Sequence, residues 1–347
     1  MRLTVSGGRR RIGMTRLKSR RFRPRRLGVL VAAAAIAWPA LAQPPAVPLT
    51  PARPDPNDPD AVIVEELVVT AKLPGPAWWS VSTANARVYV LGAPSLAPKH
   101  MAWDRLVFDR RLGGASEVIV PFQDVKVTVL GSFGAAFNYM RLKSGGPFEN
   151  TLDAATRARF VAVREKLGET PQHYGTRNPL AAGLVLANDY RDKTELTTTD
   201  PTKLIKLLAR QNHVPVRQRS YNIGPLMGAI VRTPEAAGRG CFDEVLAQAE
   251  AGPGVTRAAA RAWAAGDVRG ALGNERTYER CINLVPGAQK FDTQTKSDMV
   301  ADIEAALKRP GHAIAVVPLR PLLAQGGVLD QLRAKGFTVT TPGEEEQ

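Results

Sequence analysis

Apolar positions along the chain follow two spacings, one of period two and one of period 3.6, and the order in which they alternate predicts the architecture. Residues 87–91 (RVYVL), 117–120 (EVIV) and 125–130 (VKVTVL) have the β-branched density of buried strands. A helical spacing over 103–112 separates the first two, so this part predicts a βαβ unit. The middle of the chain then turns helical. Residues 151–167, 179–190 and 201–209 place apolar side chains three and four apart, the last with Asp200 as N-cap and Pro201 at the first helical position. Residues 214–216 return to the sheet, and helical spacing resumes over 242–251, 257–265 and 297–307, where Pro310 and Gly311 stop it. The finish is a strand at 313–317, a helix at 328–334 ended by Gly336, and a last strand at 337–340. Together these predict an α/β fold, a central mixed β-sheet flanked by helices with a helix-rich middle segment.

The flanks break both patterns. Residues 43–61 hold seven prolines among small and acidic residues, which favours an extended, solvated linker over a core element. Residues 62–75, with the β-branched run IVEELVVTA at 63–71, are expected to form an extended arm or a first strand. That run also resembles the TonB box of outer-membrane receptors. The folded domain spans 76–342, long enough for one large core or two small lobes, and 343–347 is an acidic tail.

Charge changes the picture at the amino-terminal end. The chain of 347 residues has 47 Lys+Arg against 32 Asp+Glu, but residues 1–42 hold eleven of the basic residues and no acidic one. The remainder carries 36 against 32, with no basic run interleaved with aromatics, and that argues against a nucleic-acid partner. Low aromatic content, at 6%, argues against an outer-membrane barrel. Arg20, Arg21, Arg23, Arg25 and Arg26 precede an apolar run over 27–37, and Ala40-Leu41-Ala42 supplies a small-x-small cleavage site. Residues 1–42 therefore read as a signal peptide, and the mature protein is expected to be periplasmic or secreted. The apolar run is shorter than the roughly 20 residues a span needs, so no stable transmembrane anchor is expected after processing. Export makes a disulfide between Cys241 and Cys281 the favoured reading of the two cysteines, over two buried thiols.

Several segments then carry a resemblance. Gly75-Pro76-Ala77-Trp78-Trp79, Val88-Tyr89-Val90-Leu91-Gly92 and the stretch 97–103 look like the start of a TraB/GumN family protein. Ala262-Trp263-Ala264-Ala265-Gly266-Asp267 is similar to that family's Ala-Trp-x-x-Gly-Asp signature, and 313–322 with Gly326-Gly327-Val328-Leu329 resembles its closing strand and helix. In the active branches, Tiki-like peptidases included, the resemblance implies two Gly-x-x-His motifs, an acidic residue after an early strand and a downstream Arg-Asn. This chain departs at each. The first motif reads Gly92-Ala93-Pro94-Ser95, the acidic position is Pro121, the Arg-Asn region holds Lys296-Ser297, and the second motif reads Pro318-Leu319-Arg320-Pro321. A hydrolytic metal needs about three protein ligands, and neither Ser nor Pro replaces a neutral imidazole.

The expectation is therefore a binding or regulatory protein without cofactor or metal. No catalytic residue is assigned with the degenerate positions Gly92, Ser95, Pro121, Arg320 and Pro321. Ser95, Lys99 and Arg320 are the candidate binding residues, for an unidentified peptide or a small anionic ligand. The alternative is a metal-dependent, peptidase-like hydrolase with relocated ligands, using a divalent metal, His100 and nearby acids.

Overall fold

The structure, a computed structural model, describes residues 58–126 and 146–344, with only the backbone described at 123–126. The signal segment, most of the proline-rich stretch, the end of the strand expected at 125–130 and the last three residues lie outside the described residues. Along the chain come β1 (Trp78–Ser82), β2 (Ala86–Ala93), β3 (Ala97–Pro98), α1 (Leu106–Leu112) and β4 (Val118–Lys126). Next are α2 (Ala154–Leu167), α3 (Pro179–Lys193), β5 (Leu196–Thr197), α4 (Thr202–Gln211) and β6 (Val216–Asn222). The helical stretch continues as α5 (Gly224–Ala229), α6 (Glu235–Ala251), α7 (Gly254–Ala264), α8 (Val268–Ala271), α9 (Thr277–Asn283) and α10 (Ala288–Leu307). The chain closes with β7 (Gly311–Pro318), α11 (Leu319–Leu323), α12 (Val328–Ala334) and β8 (Thr338–Thr340).

Six strands make one mixed sheet in the order β6-β4-β7-β2-β1-β8. The first four in that order run parallel, β2 with β7 and β4 with both β7 and the edge strand β6, while β1 and β8 add antiparallel at the other side. The α/β prediction holds, and so does the βαβ unit, with β7 inserted between its two strands. Burial of Val88, Val90, Leu91 and 313–317 on both faces is the continuous apolar run expected of parallel strands.

Local differences have local causes. The two strands expected around Pro121 are one bulged strand: register with β6 shifts between Val120 and Asp124, and a bulge is where a strand tolerates a residue without an N–H. Asp200 does not cap α4; its carboxylate accepts the His100 N–H at 2.7 Å instead. Asp153 does cap α2, accepting from Ala155 and Thr156. The first strand of the sheet is β1, and residues 62–75 run outside the sheet as an arm. Ile63 bridges Ala324, Val64 N–H donates to Leu323 O, and the buried Leu67 offers its carbonyl to the Trp79 indole.

Two apolar clusters form within this body. One packs on the sheet around Trp79, Phe108, Val316 and Leu322. The other, around Phe148, Phe160, Phe242 and Cys241, fills the helical lobe. The disulfide Cys241–Cys281 joins α6 to α9, with 5.4 Å between Cα atoms.

Candidate functional site

The parallel strands all point their carboxyl ends to one edge, the place where open α/β sheets bind ligands. A cleft of about 280 Å³ opens there between sheet and helical lobe. Its sheet side is Pro94 and Ser95 after β2, Phe122 of β4, and Pro318, Arg320 and Pro321 where β7 enters α11. Its helical side is Asn274, Arg276, Tyr278 and Glu279 around α9, with Phe291, Asp292 and Thr295 of α10. A smaller cavity of about 80 Å³, with Pro121 and Lys296 in its wall, adjoins it and shares Phe122 and Asp292. Phe122, Phe291 and Tyr221 meet edge to face at 5.2–5.4 Å between centroids and make the apolar seam between the two.

The degenerate positions thus come together. Ser95, Arg320 and Pro321 line the cleft and Pro121 the adjoining cavity, although 225 residues of sequence separate the first two. Gly92 lies one step below, inside β2. A Cβ there would stand 2.5 Å from Leu319 Cδ1 and 3.1 Å from the Trp79 ring, so its bareness serves packing of α11. Lys99 does not line the cleft. It follows β3 and faces Glu195 at 3.9 Å, with its backbone N–H on Glu195 O, so a rim formed by Lys99 and Arg320 together is replaced by another set of cations.

That set is Arg276, Lys296 and Arg320. Arg276 pairs with Asp58, and its other nitrogen lies 3.7 Å from Asp60. Lys296 holds Asp60 at 2.6 Å and Asp292, one turn back on α10, at 2.7 Å. Arg320 donates to Leu272 O at 2.6 Å and weakly to Asp60 O, while its buried Nε has no partner among the described residues. Burial pulls the Lys296 ammonium down, but Asp60 and Asp292 outweigh it and hold its pKa above the ordinary value. Burial, and then the neighbouring Arg276 charge, lower that of Arg320. Burial likewise pushes the Asp292 and Glu279 carboxyls up, although Lys296 favours the ionised form of the first and a Ser95 hydrogen bond that of the second.

Asp58 and Asp60 belong to the stretch expected to be solvated linker. Their side chains are only 7% and 6% exposed, because each meets a buried cation. Sequence reading missed this network, apart from Lys296 and Arg320, since Asp58 and Arg276 are 218 positions apart and Asp60 and Lys296 are 236. The one local signal was the Asp292/Lys296 pair at i, i+4.

A comparison with protein families decides the lineage. The TraB/PrgY/gumN family model matches residues 77–341, well over half of the chain. The chain belongs to the TraB/PrgY/gumN family. No curated protein and no solved structure matches it. The family signature at 262–267 acts through packing here: the Trp263 indole donates to Gly92 O at 2.5 Å, and Asp267 caps α8 through Gly270 N–H. Trp103 stacks edge to face on Trp263, which ties the signature to the family's opening segment.

The cleft does not fit the divalent metal that the family's active branches imply. None of the four histidines lines it. Asp58, Asp60 and Asp292 are each already paired with Arg276 or Lys296, which a divalent ion would have to displace. Glu279, bonded to Ser95, is the one remaining cleft carboxylate among the described residues, too few for a metal site. His100 is exposed, with a left-handed backbone at φ 57°, as a turn residue. Among the described residues, Glu169, His173 and Asp189 form the cluster whose ligand atoms lie within 4.8 Å of one another, on the helical lobe. There the imidazole presents one nitrogen to each carboxylate, at 3.4 and 2.9 Å.

Proposed function

We propose that this family member is an exported, periplasmic or secreted protein whose cleft binds an anionic ligand, a peptide or a small molecule, without hydrolysing it. The observation that carries the reading is the set of cations at the carboxyl edge of the sheet: Arg276, Lys296 and Arg320 lie beside Ser95, Pro121 and Pro321, the residues that by resemblance replace the family's metal-site residues. Guanidinium groups recognise carboxylates through paired, charge-assisted hydrogen bonds, and a half-buried site strengthens them. The Cys241–Cys281 disulfide supports an oxidising compartment. No helix among the described residues is long and apolar enough to cross a membrane.

The test is thermal unfolding of the mature chain, 43–347, against a panel of anionic and neutral peptides and small acids. The expected result is a rise in Tm with anionic members that Arg320→Gln abolishes. Equal shifts in wild type and variant would contradict the reading. A second reading, a hydrolase with relocated ligands, is favoured by the Glu169/His173/Asp189 cluster alone. Stoichiometric metal lost on His173→Ala, with peptide cleavage lost alongside it, would establish that reading.

A further inference from the structure

The cations of the cleft come from three separate elements, the start of α9, the middle of α10 and the start of α11, yet two carboxylates of a single segment pair with Arg276 and Lys296, and the main-chain oxygen of the same segment meets Arg320. Asp58 and Asp60 immediately precede the arm and continue it toward the amino terminus, two positions apart, with exposed Pro59 between them. Asp60 also lines the cleft itself. The arm is fastened at Leu67, fully buried, and by the main-chain bonds of Val62 and Val64 to Gln325 and Leu323. On the amino-terminal side of Val62 the Asp58-Pro59-Asp60 segment, called the tip below although the chain continues before it, is held chiefly by charge. We propose that the Asp58-Pro59-Asp60 tip is a built-in occupant of the cation site, and that the ligand of the cleft presents a comparable pair of carboxylates and must displace the tip to bind. The inference rests on the anion-binding reading above and specifies its ligand.

The physical argument is one of desolvation and tethering. Arg276 and Lys296 are each only 9% exposed, and without the tip they and Arg320 would be three cations at one cavity with only Asp292 and Glu279 beside them. A further anion is therefore favoured in the site, and the tip supplies it. Because Leu67 anchors the arm a few residues away, the tip competes as an intramolecular ligand at an effective concentration on the order of millimolar. An outside carboxylate pair then binds with an apparent affinity reduced by the fraction of molecules whose tip is open. Arg320 Nε, buried and unpartnered, is a further donor that the tip leaves unused.

The experiment uses the mature chain and a fluorescein-labelled synthetic peptide of residues 58–67 (DPDAVIVEEL), titrated by fluorescence anisotropy, with succinate as competitor. Two variants open the site by different means. D58N/D60N removes the tip's charges. V64P removes the N–H that bonds Leu323 O while suiting the local φ of −77°, and leaves every charge in place, so it carries the test should the first variant not fold. The expected result is binding at least tenfold tighter to each folded variant than to wild type, lost when Arg276→Gln is added. Displacement by succinate assigns the ligand to free dicarboxylic acids, and failure of displacement assigns it to acidic peptides. Equal binding by wild type and both variants overturns the occupant role while leaving the anionic cleft standing. Absence of binding to all of them, in folded protein, overturns both.

Discussion

The helical lobe closes on itself with apolar rings and a covalent bond, whereas the cleft edge of the sheet is closed by charges, with pairs that join residues more than 200 positions apart. In the lobe, Phe148, Phe160, Tyr174 and Phe242 form an edge-to-face cluster with centroids 4.8–6.2 Å apart, beside the Cys241–Cys281 disulfide. At the cleft, Asp58, Arg276, Asp60, Lys296 and Asp292 form a chain of ion pairs with Arg320 beside it. The first kind of closure needs nothing from outside. The second is exchangeable, because a carboxylate on another molecule offers the same bonds as one on the arm. On the proposed reading, the difference teaches that the lobe serves as scaffold while the edge of the sheet keeps capacity for a ligand.

Substitutions break the comparison at different strengths. Lys296→Met is expected to cost the most, about 3–5 kcal/mol, since it leaves Asp60 and Asp292 buried without their shared cation. Added anions should not rescue it, and urea unfolding with and without succinate checks both points. Removing the disulfide with C241S/C281S should cost about 2–4 kcal/mol for a loop of 40 residues, read as a lower urea midpoint, with faster amide exchange in α6 and α9. Ligand binding at the cleft should be unaltered by that change. Gly92→Ala should cost about 1–3 kcal/mol through overpacking against Leu319, again by urea unfolding, and should shift α11 and Arg320 with it.

The smallest effect is a pH dependence. Burial raises the Glu279 carboxyl above its ordinary value of 4.5, although Ser95 and Arg276 favour its ionised form. The folded state therefore holds the proton more tightly than the unfolded one. The cost of ionising this group is absent below the unfolded value and grows as pH rises from there through the folded value. Glu279→Gln is expected to raise Tm at pH 7 and to leave it unchanged near pH 4. A Tm difference that is constant across that range would remove Glu279 from the account.

Much of the fold was legible because its strands are locally defined. Residues 87–91 and 313–317 are apolar without a break and became the two parallel strands at the centre of the sheet. The helix at 328–334, stopped before Gly336, appears with those bounds. By contrast β1, with Trp78-Trp79-Ser80-Val81-Ser82, has no β-branched run, and α10 begins nine residues before the predicted 297 because its first turns are mostly polar, with Phe291 as their one large apolar side chain. The cleft positions were legible only through the family resemblance, which located Ser95, Pro121 and Arg320. The charges that fill the cleft were not, since an ion pair between residues more than 200 apart leaves no periodicity in sequence. The end of the proline-rich stretch, at Asp58 and Asp60, misled for a related reason. Composition reports what a segment lacks for building a core, and it is silent on two aspartates finding buried cations elsewhere.

The most direct test of the central claim is peptide-library hydrolysis by the untagged mature chain, with metal content measured on the same preparation. The account predicts no cleavage above the Arg320→Gln/Ser95→Ala control. Cleavage well above that control, with one tightly held metal per chain and loss of both on His100→Ala or His173→Ala, would contradict it.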